Sequence, residues 1–374
     1  MTVLSRLRLL NFRNHAALDL HLDGGPVCLF GANGAGKTNI LEALSLLGPG
    51  RGLRSAPLGD LSRHGGADPW TIAATLQNDQ KIGVGLEADG RSAKRRVRID
   101  GAPATTGDLA ERIRIVWLTP AMDGVFRGGA SDRRRFFDRQ VMAHMPDHGR
   151  LSAEYERAMR ERNALLERDR VDPAWADALE ARMALAGAEI IVNRQIVLDR
   201  LQASVNERPD GFFPKADLVL EGALEPLARE GRSVADVESE LRATFMSGRP
   251  RDRAAGRALS GPHRTDLGVV HRPSGALAAQ ASTGQQKALL IGLILANARA
   301  LGDTGSGPVP LILLDEAAAH LDTRRRAALF DELSSLGGQA WLTGTEAALF
   351  EAFADRAQLI EVCERPEDGD HGRY

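Results

Sequence analysis

The chain is poor in cysteine, aromatic residues and net charge, and each shortage closes off a class of function. Its 374 residues include two cysteines, Cys28 and Cys363, spaced neither as a redox pair nor as metal ligands. A disulfide framework and a thiolate metal centre are excluded, and a reducing compartment fits. Phe, Trp and Tyr make up 5% of the residues, so no aromatic stacking platform for single-stranded nucleic acid stands out. The 48 basic and 50 acidic residues leave a formal charge of -2, so any grip on a polyanion must come from local patches. No segment reaches about 18 consecutive apolar residues, and the opening Met-Thr-Val-Leu-Ser-Arg lacks the apolar stretch of a signal peptide. The reading is a cytoplasmic protein without a membrane partner.

With 43% hydrophobic residues, the chain can bury a sizeable core and would normally split into two domains. The first hundred residues alternate short apolar runs with turn signals, among them Val27-Cys28-Leu29-Phe30. Strands should dominate there. From about Asp132 to Arg208 the pattern becomes helical, with Leu179, Met183, Ala186 and Ile190 at helical spacing. A single helix over residues 174–208 would be roughly 52 Å long at about 1.5 Å per residue, too short for a long coiled-coil arm. After the Pro- and Gly-punctuated stretch from Gly248 to Pro273, strand and loop signals return and continue through Leu311-Ile312-Leu313-Leu314 and Ala340-Trp341-Leu342-Thr343. The expected organisation is one discontinuous α/β lobe, 1–125 and 255–374, interrupted by a mainly helical second lobe, 126–254. The acidic tail after Glu361 reads as a frayed end.

Chemistry enters with Gly31-Ala32-Asn33-Gly34-Ala35-Gly36-Lys37-Thr38-Asn39, which follows an apolar strand and leads into the helical pattern Ile40-Leu41-Glu42-Ala43-Leu44. This is a phosphate-binding loop in its proper context. Glycines let backbone N–H groups turn onto phosphates, the helix offers its positive end, Lys37 reaches the terminal phosphates and the Thr38 hydroxyl ligates Mg2+. A second half comes from Leu311-Ile312-Leu313-Leu314, a buried strand ending in Asp315-Glu316. Asp315 is assigned to the metal and Glu316 to the general base that polarises water. Lys37 and Asp315 are 278 residues apart, yet their strands must share a sheet, so an insertion intervenes. Ahead of the acidic strand lies Ser282-Thr283-Gly284-Gln285-Gln286-Lys287, running into the apolar helix Ala288 to Ala300 in the manner of an ABC-type signature loop.

Five motifs in order, Asn11-Phe12-Arg13-Asn14, the Gly31 loop, Gly261-Pro262-His263-Arg264-Thr265-Asp266-Leu267, the Ser282 loop and Leu321-Asp322, resemble the RecF family from about residue 4 to 345. The resemblance implies an ABC/SMC-type P-loop ATPase head of the α/β class, with a helical insertion forming a second lobe. It implies ATP and Mg2+ as ligands, and an ATP-dependent homodimer in which Ser282, Gly284 and Gln285 of one copy meet the nucleotide of the other. A serine hydroxyl and backbone N–H groups at a helix start suit a γ-phosphate, and equally suit an ordinary N-cap. Arg13 and Asn14 match a loop beside the nucleotide, or a plain strand-end turn. Asp322 would contact the partner copy, or cap a helix. The resemblance further implies double-stranded and gapped DNA as substrate, with RecR and RecO as pathway partners that help load RecA in recombinational repair.

The chain departs from its relatives at three places. Thr119-Pro120-Ala121-Met122-Asp123 stands where ABC transporters carry a water-positioning glutamine, and Asp315-Glu316 where many RecF proteins have two aspartates. Near Thr343-Gly344-Thr345, ABC proteins place a histidine, and a threonine brings no positive charge to the γ-phosphate. Slow turnover is expected. Two basic clusters are candidates for DNA: Arg91 with Lys94, Arg95, Arg96 and Arg98, and Arg133-Arg134-Arg135 with Arg139. Either could be a solvated face, and the second, followed by Phe136-Phe137-Asp138, could brace the lobes. Three rivals remain at this level. The 278-residue separation argues against a transporter subunit, the short insertion against an SMC-like structural ATPase, and Glu316 against a clamp that never hydrolyses ATP.

Overall fold

The computed structural model describes residues 3–63, 68–89, 92–303, 307–319 and 321–363. In chain order the elements begin β1 (Leu4–Phe12), β2 (His15–His21), β3 (Val27–Phe30), α1 (Lys37–Ser45), β4 (Thr71–Leu76), β5 (Lys81–Asp89), β6 (Ser92–Ile99), β7 (Ala102–Ala104), α2 (Thr106–Arg112) and β8 (Ile115–Leu118). The helical stretch follows as α3 (Ala130–His144), α4 (His148–Leu166) and α5 (Pro173–Glu207). Next come β9 (Ala216–Glu221), α6 (Glu225–Arg229), α7 (Val234–Ala255), β10 (Asp266–His271), β11 (Ala276–Leu277) and α8 (Thr283–Asp303). β12 (Leu311–Leu314), α9 (Thr323–Ser335), β13 (Ala340–Gly344) and β14 (Gln358–Glu361) complete the chain. Among the described residues no helix is long and apolar enough to cross a membrane.

The chain divides into two compact units, Met1–Pro120 with Leu301–Tyr374, and Ala121–Ala300. The first holds a parallel sheet in the order β14-β3-β13-β12-β8 and an antiparallel sheet in the order β2-β1-β4-β5-β6-β7. The parallel strands read as unbroken apolar runs because both faces are covered: Leu311 to Leu314 are all buried. The antiparallel strands alternate instead, Ile72, Ala74 and Leu76 turning into the core and Thr71 and Ala73 outward. That core joins the sheets around Leu7, Phe12, Trp70, Val97 and Trp341.

In the second unit α5 runs unbroken for 35 residues. Asp172 caps it by accepting from the backbone N–H groups of Ala174 and Trp175, and Pro173 sits where a missing N–H costs nothing. Its stripe of Leu179, Met183, Ala186 and Ile190 is buried. Gly187 lets α7 approach, because a Cβ there would stand 3.1 Å from Leu241.

The boundary near residue 255 reads differently in the structure. β10 pairs antiparallel with β9, from Asp266↔Glu221 to His271↔Ala216, so the strands after α7 complete a three-stranded sheet of the second unit. Gly248 to Ala255, read as punctuation, is helix, with Pro250 inside α7. Pro250 has no N–H for the Met246 carbonyl. Side chains around it tie this part of α7 to its neighbours: Arg162 Nη2 donates to the Phe245 carbonyl at 2.8 Å and Arg249 pairs with Glu180.

Candidate nucleotide site

The C-terminal ends of β3, β12 and β13 lie side by side in the parallel sheet, the position where such sheets bind ligands. β3 leaves the sheet at Phe30 and turns through residues 31–36 into α1. Gly31, Gly34 and Gly36 have φ of 142°, 89° and 100°, which side chains rarely adopt. At two of them contacts forbid a side chain as well. A Cβ on Gly31 would stand 2.3 Å from the Val362 carbonyl, and one on Gly36 2.5 Å from the Asn14 amide. Ala32, Asn33 and Gly34 are exposed, whereas Ala35 and Lys37 are buried. The Lys37 ammonium spans the loop, donating to the carbonyls of Gly31 and Ala32 at 2.7 Å each.

Thr38 follows directly and links the loop to the acidic strand: its hydroxyl donates to Asp315 Oδ1 at 2.8 Å. The same carboxylate oxygen accepts from the Thr343 hydroxyl, also at 2.8 Å, and the Thr343 oxygen accepts from the Glu316 N–H at 2.9 Å. Glu316 has φ of 50°, a left-handed conformation that costs a glutamate about 1–3 kcal/mol. The bond from its N–H to Thr343 helps hold it there. These oxygens are hard donors, and one carboxylate with a threonine hydroxyl is a set that suits Mg2+ shared with phosphates.

Arg13 and Asn14, in the β1–β2 turn, meet the loop in different ways. Asn14 Nδ2 donates to the Ala35 carbonyl at 3.1 Å and its Oδ1 accepts from Asn39 at 2.8 Å. Arg13 instead forms a two-pronged pair with Glu42 on α1, at 2.8 and 2.9 Å, and Arg54 reaches the same carboxylate at 3.0 Å. Glu42 is buried to 1% exposure. A cavity of about 410 Å³ opens beside the loop, lined among others by Asn14, His15, Ala35, Leu18, Ile360 and Val362.

Ser282, Gly284 and Gln285 belong to the second unit, at the start of α8. Ser282 and Gln285 cap one another: the Ser282 Oγ accepts from the Gln285 N–H at 3.3 Å and the Gln285 Oε1 from the Ser282 N–H at 3.0 Å. Gln286 anchors the turn from inside through the carbonyls of Ala279 and Ala281. Residues 282–285 are all exposed. Nothing lies within 4 Å of a Cβ placed on Gly284, so no contact among the described residues requires glycine there.

The RecF/RecN/SMC N terminal domain family matches residues 3–365. The chain is 50% identical over 366 residues to the DNA replication and repair protein RecF of Rhizobium etli strain CIAT 652, covering 96% of this chain and 97% of that one. It is 52% identical over 363 residues to RecF of Brucella suis biovar 1, covering 96% and 94%. The chain belongs to the RecF family. A solved structure of the recombination mediator protein RecF-ATPrS in the RecFOR pathway matches with a TM-score of 0.83 at 21% identity, covering 96% of each chain. An SMC head bound to the C-winged helix domain of ScpA matches with a TM-score of 0.51 at 16% identity, over 97% of this chain and 94% of that one. The fold is thus that of the ABC/SMC-type P-loop ATPase heads.

Within this RecF-family head several candidate residues carry internal bonds. Asp322 caps α9, accepting from the Arg325 N–H at 2.9 Å. Arg95 turns inward from β6 and donates to the carbonyls of Gly48 and Gly50, each at 3.1 Å, and burial pushes its pKa down. Arg133 pairs with Asp266, at 2.6 Å at its closest, and Arg134 donates to the Thr265 carbonyl at 2.9 Å. Arg133 and Arg134 therefore brace one unit internally, whereas Arg135 is exposed and pairs with Asp132 on its own helix. Arg96 and Arg98 remain on the outer face of β6, and Arg91 lies outside the described residues.

The motif at residues 261–267 is also structural. Gly261 has φ of 124° beneath the Tyr155 hydroxyl, which bonds His263 Nδ1 at 2.8 Å, and Thr265 donates to Glu225. Sequence reasoning misses Glu42 and the hydrogen bonds that Thr343 makes to Asp315 and Glu316. A glutamate inside the apolar run Ile40 to Leu44 is the visible signal for the first.

Proposed function

We propose that the chain is an ATP-driven DNA clamp of recombinational repair and replication restart, working in the RecFOR pathway. The observation that carries this reading is the hydrogen-bond chain Thr38–Asp315–Thr343–Glu316, which couples the phosphate loop to a carboxylate pair. In it, the backbone of residues 31–39 cradles the phosphates of ATP, Lys37 exchanges its carbonyl partners for phosphate oxygens, and Thr38 and Asp315 hold Mg2+. Bound Mg2+ supplies charge neutralisation at the phosphates. Glu316 takes the proton of the attacking water. The cavity beside Asn14 and His15, with both apolar and polar walls, accommodates the base.

Dimerisation is supported by Gly284. It stands exposed in the first turn of α8, and nothing among its described neighbours calls for a glycine there. Close approach of a nucleotide held by a second copy accounts for it, with Ser282 and the N–H groups of 283–285 meeting the γ-phosphate. Two copies sharing ATP would close on duplex or gapped DNA, and weak, DNA-stimulated hydrolysis would reopen them. With RecR and RecO, the clamp would assist the loading of RecA.

Sedimentation with a duplex oligonucleotide, with and without ATP, tests this. ATP should produce a dimer on DNA that Lys37→Met and Ser282→Arg abolish and Glu316→Gln traps. A protein monomeric under all conditions, or dimeric regardless of ATP, would remove the shared-site reading.

A further inference from the structure

The antiparallel sheet has two unlike faces. Inward lie Leu7, Leu9, Ile72, Ile82, Val84 and Val97, all buried. Outward, six cations stand on three strands: Arg6 and Arg8 on β1, Lys81 on β5, and Lys94, Arg96 and Arg98 on β6. The described carboxylates that face them are Asp19 and Glu87, with Asp100 at the sheet edge beside the Lys81 N–H.

Register turns these residues into a trough. Arg8 lies opposite Ala73, Ala73 opposite Gly83, and Gly83 opposite Arg98, so one row crosses four strands from cation to cation. Three strand spacings separate the two banks by about 14 Å at their bases. Between them the floor is Ala73 and Gly83, with Thr71 and Gly85 in the row of Leu10 and Thr75 and a further cation, Lys81, in the row of Arg6. The ion pairs across the face are Arg6–Asp19, two-pronged at 2.6 and 2.8 Å, Arg8–Asp19 at 3.5 Å and Arg96–Glu87 at 3.4 Å; all are solvent-exposed, and the two longer ones hold little energy and can yield to another anion.

We propose that this outer sheet face seats the phosphate backbone of duplex DNA, the Arg6–Arg8 bank on one side and the Lys94–Arg96–Arg98 bank on the other. The proposal rests on the DNA-clamp reading and adds the surface. Charge complementarity selects a polyanion. The described outward positions carry no Phe, Tyr or Trp and one large apolar side chain, Leu10, which disfavours both single-strand stacking and a protein interface with an aromatic core. A floor of small residues lets a backbone approach closely without reading bases.

Two variants test it by duplex binding in the presence of ATP across a range of KCl concentrations. Lys94, Arg96 and Arg98 changed together to Gln should flatten log K against log salt by about 0.9 for each phosphate that is no longer neutralised. In Gly83→Glu a carboxylate enters the floor, where the nearest atom to a Cβ is that of Arg98 at 3.9 Å, so a side chain fits. It should weaken binding on the order of tenfold, and Gly83→Gln, of equal bulk, should not. Normal duplex binding by the parent, with an unchanged slope in the triple variant and Gly83→Glu equal to Gly83→Gln, would overturn the surface alone. It would leave the face to an acidic protein. Absence of duplex binding by the parent would overturn the clamp reading and this proposal with it.

Discussion

The two units bury charge for different ends. Among the described residues, the charged side chains buried in the first unit are Lys37, Glu42 and Asp315, and all three stand at the phosphate loop. In the second unit the buried charged side chains among the described residues are Arg162, Glu180, Arg194, Arg208, Glu225, Asp252 and Lys287, and of these only Lys287, paired with Asp123, is on α8, the helix that opens at Ser282. Arg162, fully buried, donates to Glu180 at 2.9 Å, to Asp252 at 2.7 Å and to the Phe245 carbonyl. Three elements, α4, α5 and α7, are thereby fixed in one register. Burying charge is expensive unless every partner is present. The first unit meets that cost where chemistry needs it, and the second where helix packing does.

The sharpest break of this contrast is Arg162→Met. It leaves buried Asp252 with the Leu259 N–H but no cation, and Glu180 with Arg249 alone, so stability should fall by about 3–5 kcal/mol. Urea unfolding should show the lower midpoint, while ATP affinity, measured well below that midpoint, stays at the parent value. A loss of affinity with unchanged stability would mean that the network serves the nucleotide.

A smaller effect is expected at the other end of the contrast. Thr343→Val keeps the shape of β13 but removes the donor to Asp315 and the acceptor for the Glu316 N–H. One or two unmet polar groups amount to about 1–3 kcal/mol, read here as a fall in kcat of roughly ten- to hundredfold. Nucleotide binding without Mg2+ should be spared, because the loop contacts of Lys37 are untouched. Thr343→Ser keeps the hydroxyl and should recover most of the rate; equal rates for Val and Ser would remove Thr343 from the positioning of Glu316.

Thr343 also shows what a sequence makes legible. Residues 31–38 and 311–316 can be read because their chemistry is contiguous: strand, turn and helix start lie within a few residues. The hydroxyl of Thr343 gains its meaning from parallel pairing of β12 with β13, which no local pattern contains, so its neighbourhood reads only as lacking a histidine. Alternation in Lys94-Arg95-Arg96-Val97-Arg98 announces a strand but not that Arg95 turns inward onto Gly48 and Gly50. Pro250 misleads because its helix is held from outside, by Arg162 and by Arg249. The 35-residue helix is legible throughout, since one apolar stripe and one cap define it.

The subtlest test of the contrast is pH. Asp138 of α3 accepts from Arg194 at 2.7 Å and from His148 at 3.0 Å. Burial raises its pKa, but Arg194 and His148 outweigh burial and hold the carboxyl below the usual aspartate range. An unfolded aspartate titrates near 3.9, so this group's stabilisation is complete above that value and is lost as pH falls toward the folded pKa. Asp138→Asn should therefore be less stable at neutral pH and flatter below about pH 4. The difference in slope should not exceed about 1.4 kcal/mol per pH unit. Other carboxylates with lowered pKa values, such as Asp266 held by Arg133, titrate in both proteins and cancel in the comparison. The difference should also be the same with and without ATP, because Asp138 binds helices of the second unit and not the phosphate loop. Were ATP to change it, the buried charge of the second unit would be coupled to the nucleotide, and the division between chemistry and architecture would not hold.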